Sequence, residues 1–361
     1  MKVDFLIVGA GFAGCTLAER IAVQLEKEVL LVEKRNHVGG NAYDYYNEDG
    51  ILVQKYGPHI FHTNNKMVWD YLSQFTEWNN YVHRVLAKVK GKEVYLPINL
   101  DTMEKLFDRT FTPEELEDYF ESRRVKVDEI KNSKDVVVSQ VGEELYELFF
   151  KNYTKKQWGV YPDELDPQVT RRLPVRFNRD TRYFTDQYQG MPKHGYTKMF
   201  ERMLDNRNIH ILLNADYKEV VGETEYEKLI FTGPIDYFFN YKHGKLPYRS
   251  LDFKFETLSV ERYQDAAVVN YPNDHDFTRI TEFKHFYLQK HDKTTICYEY
   301  PKPEGDPYYP IPRAEYQEMY RKYEEEANKL NNVYFVGRLA EYRYLNMDQV
   351  VAGALELFNE V

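Results

Sequence analysis

The residues best suited to chemistry begin at position 9. Gly9-Ala10-Gly11-Phe12-Ala13-Gly14 reads G-x-G-x-x-G and precedes Glu33. Such a run supports dinucleotide binding when it follows a strand, opens a helix and is answered by an acid about 20 residues on. Gly9 permits a tight turn, Gly11 lets the backbone approach a pyrophosphate, and Gly14 lets helix and strand pack closely. The helix N-terminus favours the anion. Glu33 accepts hydrogen bonds from ribose hydroxyls and repels a 2′-phosphate, which disfavours NADP. The bland alternative is a glycine turn with no ligand.

Lys34-Arg35 and then Gly39-Gly40-Asn41 follow the acid. That order is typical of flavoproteins with two dinucleotide-binding domains, and it points to FAD rather than NAD. A second G-x-G-x-x-G does not occur, so no built-in nicotinamide site is visible. Tyr56-Gly57-Pro58-His59-Ile60-Phe61-His62-Thr63 carries two histidines three apart, without the further ligands a metal needs. In a Gly-Pro turn they are expected near a ligand. Arg171, Arg172, Arg176, Arg179 and Arg182 cluster in a chain of net charge −10. Guanidinium forks match phosphate oxygens, so an anionic substrate is implied, although for most of the five a solvated loop suffices. Proline and glycine on both sides mark a segment able to close over a ligand.

These residues need elements to position them. Phe5-Leu6-Ile7-Val8 is a continuous apolar run, as in a parallel strand buried on both faces. Phe12, Cys15, Ala18, Ile21, Ala22 and Leu25 recur at helical spacing, and Val29 to Val32 gives the next strand. A hairpin is predicted over Val82 to Ile98, turning at Lys90-Gly91-Lys92. Helices are expected between Leu100 and Asn152. One opens at Thr112-Pro113-Glu114-Glu115, a capping-box sequence. Leu251, Phe253 and Phe255 alternate with Asp252, Lys254 and Glu256, and further strands are predicted at Ala266–Tyr271, Thr278–Tyr287 and Thr294–Tyr300. Val333 to Val336 reads as a strand and Met347 to Phe358 as a helix.

Composition narrows the class. The 361 residues carry 48 basic and 58 acidic side chains, a balance that disfavours nucleic acid. The N-terminal apolar run is too short for a signal peptide or a span, and no later run approaches the ~18 apolar residues a span needs. Cys15 and Cys297 form no CxxC pair, so a reducing cytoplasm is the default. Thirty-two tyrosines suit a polar aromatic or sugar ligand, or simply reflect composition.

Taken together, the motifs resemble those of bacterial UDP-galactopyranose mutases. The segments that carry the resemblance run in order over nearly the whole chain: VGAGFAG (8–14), EKRNHVGGNAYD (33–44), KYGPHIFHT (55–63), YTKKQWG (153–159), RRLPVRF (171–177), YQGMPKHGYTK (188–198), FTGPIDYFF (231–239), YRSLDF (248–253), TRITEFKHF (278–286), PYYPIP (307–312) and GRLAEYRYLNMDQVVAGAL (337–355). Gly337-Arg338, where flavoproteins usually have Gly-Asp, also looks like this family.

The resemblance implies interconversion of UDP-galactopyranose and UDP-galactofuranose without net redox change. In the implied route N5 of reduced FAD attacks the anomeric carbon, UDP leaves, the sugar ring opens and recloses through the other hydroxyl, and UDP returns. It implies catalytic roles for Arg172, Arg279 and His62. Arg172, Arg279, Tyr309 and Tyr344 match diphosphate positions, and Tyr153 matches a residue stacked on uracil. His83, Phe149, Thr154, Trp158, Tyr183 and Asn270 match other substrate-lining positions. FAD contacts fall on Gly9, Gly11, Ala13, Gly14, Glu33, Gly40, Asn41, His59, Ile60, Arg338, Met347, Asp348, Gln349, Val350, Val351 and Ala352, with His62 beside the ring. Three positions depart from some members: His83 replaces Asn, Asn346 replaces Asp, and Phe149 replaces an aliphatic residue.

The expected fold is α/β, a Rossmann-like FAD-binding domain interrupted by a helical insertion and an antiparallel β-sheet domain. Residues 1–80 open the FAD domain, with 193–240 and 313–361 returning to it. Residues 99–192 form the helical substrate domain with its mobile loop, and 81–98 with 241–312 the sheet domain. The resemblance further implies a cytoplasmic homodimer, without nucleic-acid or membrane partners, reduced by an external donor and supplying galactofuranose for cell-surface polysaccharide. Two other classes share the scaffold: FAD-dependent amine or other oxidases, and non-enzymatic binding proteins like the GDP-dissociation inhibitors. The arginines and Gly337-Arg338 weigh against the first, and the intact glycines with Glu33 against the second.

Overall fold

The computed structural model describes residues 1–171 and 174–361. A five-stranded parallel sheet forms the base. Its order is Val333–Phe335, Lys228–Phe231, Phe5–Val8, Val29–Val32, Ile209–Leu212. Phe5–Val8 sits at its centre, buried along its length and paired on both sides. This is what its unbroken apolar run predicts. The helix Phe12–Gln24 follows, with Cys15, Leu17, Ala18 and Ile21 fully buried. It packs against the helix Met347–Phe358, so the two ends of the chain share one layer.

A seven-stranded sheet stands apart from it. Tyr248–Leu258 and Thr294–Lys302 pair antiparallel from Ser250 opposite Lys302 to Leu258 opposite Thr294. Arg279–Glu282 and Val268–Asn270 continue the sheet, which ends on the hairpin Val85–Val89 and Lys92–Leu96. The hairpin turn is the pair Lys90-Gly91, both at positive φ (49° and 74°). A two-residue loop of that hand matches the strand twist. After the hairpin the chain forms the helices Leu100–Phe107, Pro113–Arg123, Ser133–Leu145 and Asn152–Trp158 before it returns to this sheet. Thr112 and Glu115 form the expected capping box. A π-helical turn, Tyr146–Lys151, links the last two helices and carries Phe149 and Phe150.

Three expectations are corrected. The sheet is not wholly antiparallel: Val268–Asn270 runs parallel to Val85–Val89. A parallel pair needs a long crossover, and the helices between residues 100 and 171 lie in that connection. The strand predicted over Thr278–Tyr287 stops at Glu282, and Lys284–Tyr287 is a helical turn. Phe283 and Phe286 both point into the core there, which a continuing strand could not arrange at a spacing of three. The strand expected over Ala266–Tyr271 is confined to Val268–Asn270. Among the described residues no helix is long and apolar enough to cross a membrane.

Candidate active site

The glycine turn is built as its sequence requires. Gly9 has φ +99°, and a Cβ on Gly14 would lie 1.9 Å from the Gly9 carbonyl oxygen. Only glycine lets the helix start this close to the strand. Gly39 donates its N–H to the Ala10 carbonyl at 2.7 Å, which draws the second glycine loop onto the first. A Cβ on Gly40 would meet the Gly11 Cα at 2.9 Å. The helix Phe12–Gln24 has no side-chain cap at Gly11 and no acid in its first turn. Its N-terminal donors therefore suit a diphosphate. Glu33, buried at the end of Val29–Val32, accepts from the Ala10 and Arg35 N–H groups, each at 2.9 Å. A carboxylate has lone pairs left for ribose hydroxyls. Arg35 Nη1 donates to Asn41 Oδ1 at 3.0 Å.

A cavity of about 510 Å³ lies where the helical segment, the seven-stranded sheet and the C-terminal segment meet. His59, Ile60, His62, His83, Phe149, Tyr153, Thr154, Trp158, Tyr183, Asn270, Arg279, Tyr309, Arg338, Tyr344 and Met347 all line it. One wall is aromatic. Tyr309 and Tyr344 stack at 5.7 Å, and Trp158 presents its edge to both at 6.1 Å. The Arg338 guanidinium lies 5.5 and 5.3 Å from the two tyrosine centroids, and its Nε donates to the Leu345 carbonyl at 3.1 Å.

Arg279 opens the strand Arg279–Glu282. Its Nε donates to Glu299 Oε1 at 2.8 Å, and Glu299 is fully buried. Burial opposes the Arg279 charge, but the Glu299 carboxylate outweighs it and keeps the guanidinium firmly protonated. Asn270 Oδ1 and Glu299 Oε2 are buried with no hydrogen-bond partner among the described residues. Asn270 lines the cavity, and an unsatisfied oxygen there is what a site awaiting a polar ligand presents. Burial pushes His59 down to about 4 and His83 down to about 3, so both rings are neutral at pH 7. His59 Nδ1 donates to the Gly57 carbonyl at 3.0 Å, which leaves Nε2 an acceptor.

The arginine cluster does not act as one group. Arg172 lies outside the described residues. Arg176 lines the cavity but donates to the Asp180 and Arg182 carbonyls. Arg179 is held by Asp101 and Glu104, and Arg182 by Asp180 at 2.7 Å. Asp101 and Glu104, more than 70 residues away in the chain, match Arg179, which local sequence cannot show.

Of the C-terminal positions, Asp348 Oδ2 accepts from Thr63 Oγ1 at 2.8 Å, while its buried Oδ1 has no hydrogen-bond partner among the described residues. Gln349 closes a capping box with Asn346. Val351 is fully buried in the core, backbone included, so the expected cofactor contact at that residue has no exposed surface behind it. Val350 and Ala352 are partly buried in the same helix. The sequence reading overlooked Glu299, Phe184 and Asp186. Alternation in its strand would have placed Glu299 on one face with Cys297, a sheltered pair.

The family model for UDP-galactopyranose mutase matches residues 148–344, and a model for NAD(P)-binding Rossmann-like domains matches residues 7–75. A probable UDP-galactopyranose mutase of Klebsiella pneumoniae is 42% identical, over 99% of this chain and 94% of its own length. The chain belongs to the UDP-galactopyranose mutase family. A dTDP-fucopyranose mutase of Escherichia coli is 38% identical over 97% of this chain and 96% of its own. A crystal structure of reduced UDP-galactopyranose mutase matches the fold with a TM-score of 0.79 at 18% identity, covering all of this chain and 94% of that one. Membership makes the protein an isomerase, and with the Rossmann-like glycine turn it indicates FAD as the cofactor. The two uncapped, glycine-crowded loops fit that cofactor.

Proposed function

We propose that the protein interconverts UDP-galactopyranose and UDP-galactofuranose and needs its FAD reduced. The observation that carries this reading is the meeting of Arg279, the Trp158–Tyr309–Tyr344 wall and the His59–His62 turn around one cavity. When bound, reduced FAD supplies an electron-rich N5 as nucleophile toward the anomeric carbon. The chain's own residues bind, orient and manage charge. Arg279 and Arg172 take up the charge that rises on the departing diphosphate, and the Tyr309 and Tyr344 hydroxyls donate to the same group. Glu299 occupies the Arg279 Nε, which leaves the terminal nitrogens for phosphate oxygens.

Tyr153 stacks on the uracil, and His83, Phe149, Thr154, Trp158, Tyr183 and Asn270 shape the rest of the pocket. Asn270 Oδ1 offers an acceptor to a substrate hydroxyl. Gly9, Gly11, Ala13, Gly14 and Glu33 hold the adenylate half of FAD. Gly40, Asn41, His59, Ile60, His62, Arg338 and the Met347–Ala352 turn hold the rest. An external reductant, a cytoplasmic setting and a homodimer belong to the same proposal.

The test is to incubate dithionite-reduced protein with UDP-galactofuranose and follow UDP-galactopyranose by chromatography. Conversion on reduction, fading on reoxidation without stoichiometric use of reductant, is expected. Equal turnover by the oxidised protein would overturn the N5 assignment. The dTDP-fucopyranose mutase relative supplies a second reading, so dTDP-fucofuranose is run in parallel. Preference for it would overturn the substrate and leave the isomerase class intact.

A further inference from the structure

We infer that Asp186 is a positioning residue for His62: with Asn64 it fixes the imidazole proton on Nδ1 and leaves Nε2 to the cavity. His62 lies in Phe61–Thr63, which pairs antiparallel with Tyr188–Gly190, His62 opposite Gln189. Asp186, just before that second strand, is thereby brought back across the His62 loop. Its Oδ2 stands 3.0 Å from His62 Nδ1, and its Oδ1 accepts from Asn64 Nδ2 at 2.9 Å. Asn64 Oδ1 in turn accepts the Gln187 backbone N–H at 2.9 Å.

That last bond orients the whole chain of contacts. A backbone N–H can only donate, so the Asn64 oxygen faces Gln187 and its NH₂ must face Asp186. An ionised carboxylate only accepts, so the hydrogen between Asp186 and His62 sits on Nδ1. Phe184 stacks on the imidazole at 3.6 Å and 13°, which holds the plane of the ring, and a half-turn within that plane would put a carbon in place of Nδ1 against Asp186. His62, Phe184 and Asp186 all line the cavity. Nε2 has no hydrogen-bond partner among the described residues. An unrestrained histidine samples both tautomers; here only the one with a free Nε2 lone pair is compatible with its neighbours.

This deepens the function proposed above, on which it depends for what Nε2 meets, but its primary test is independent of turnover. FAD-loaded protein labelled with ¹⁵N at histidine gives the tautomer from long-range ¹H–¹⁵N spectra, with His62 assigned by the signals lost in His62→Gln. Protonation on Nδ1 is expected. In Asp186→Asn, Asn64 still donates toward position 186, so the new amide oxygen takes that bond and its NH₂ faces Nδ1. The tautomer should invert, and kcat should fall about 10- to 100-fold, the range for lost outer partners of histidine ligands, with KM little changed. Asp186→Glu keeps an acceptor-only group; it should retain the tautomer, recover part of the rate, and stand in if the Asn variant does not fold. Protonation of wild-type His62 on Nε2, or an Asp186→Asn protein with unchanged tautomer and kcat, would overturn the inference. A protein that converts neither nucleotide sugar would sink the proposed substrate, while the spectra still decide the tautomer.

Discussion

At the scale of single residues, Arg279 and Arg182 make the sharpest contrast. Both are paired arginines, yet Arg279 meets a fully buried carboxylate at a cavity wall and Arg182 meets Asp180 with 47% of its side chain in solvent. Removing a donor to developing negative charge typically costs roughly 100- to 1000-fold in rate. Arg279→Ala, and equally Arg172→Ala, should lose at least about that in kcat/KM, with flavin content unchanged by absorbance. Arg→Lys should rescue in part, because an ammonium keeps the charge and loses the fork. Arg182→Ala should leave kcat/KM near wild type; an equally large loss there would point to loop charge in general. Arg279 was legible in the sequence only through family resemblance. Its partner Glu299 was passed over because a charged side chain in a strand suggests solvent, although its alternation with Cys297 marks the sheltered face. Glu299 lies instead under the cavity, where the sheet's other face is covered.

Among elements, the strand–turn–helix opening was read from residues alone, since its glycines and apolar period leave few alternatives. The structure also supplies the reason Gly14 tolerates no side chain. Gly14→Ala should separate helix from strand, costing about 1–3 kcal/mol as overpacking does, and should yield protein that purifies without FAD. Gly222→Ala is the matched control, since a Cβ there meets nothing within 4 Å, and it should match wild type in urea midpoint and flavin content.

The helix Asn152–Trp158 was harder to foresee. The Lys156 ammonium donates to the carbonyls of Tyr271, Asp274, His275 and Phe277, and Arg249 donates to those of Lys156 and Gln157. Lysine beside lysine in KKQW reads as a wet surface, and only the return of residues 271–277 makes it a clamp. Lys156→Met leaves those carbonyls short of donors and should lower stability by about 1–3 kcal/mol. It should also raise KM for the nucleotide sugar more than it lowers kcat, because the helix bears Tyr153, Thr154 and Trp158. Steady-state kinetics at normal flavin content checks this. The parallel pairing of Val268–Asn270 with the hairpin was illegible for the same reason, since the crossover that permits it spans many elements.

For the whole molecule, acid sensitivity follows from its buried histidines. Desolvation pushes His37, His59 and His83 down to about 4, about 4 and about 3, from an ordinary value near 6.5. As pH falls below 6.5 the unfolded chain takes up these protons and the folded chain does not. Their contribution is therefore complete above about pH 6.5 and is lost progressively toward pH 4, at up to about 1.4 kcal/mol per pH unit for each ring. Urea midpoints at pH 7, 5.5 and 4.5 should fall steeply in the wild type and less steeply in His83→Asn. Parallel slopes would show that His83 is not a neutral buried ring.

The order of the parallel sheet also bears on how the protein is made. Its central strand is Phe5–Val8, but one edge is Val333–Phe335, and the helix packed on Phe12–Gln24 starts only at Met347. On a ribosome the glycine turn emerges first and its support last. At about 5–20 residues per second, the hundred or so residues between Lys228–Phe231 and Val333–Phe335 take roughly 5–20 s to appear. The strands Tyr248–Leu258, Arg279–Glu282 and Thr294–Lys302 pair among themselves and can fold within that interval. The nascent chain can therefore carry organised antiparallel strands before the helix that supports its glycine turn has emerged, an order that would make the flavin a late arrival that completes the protein instead of nucleating it.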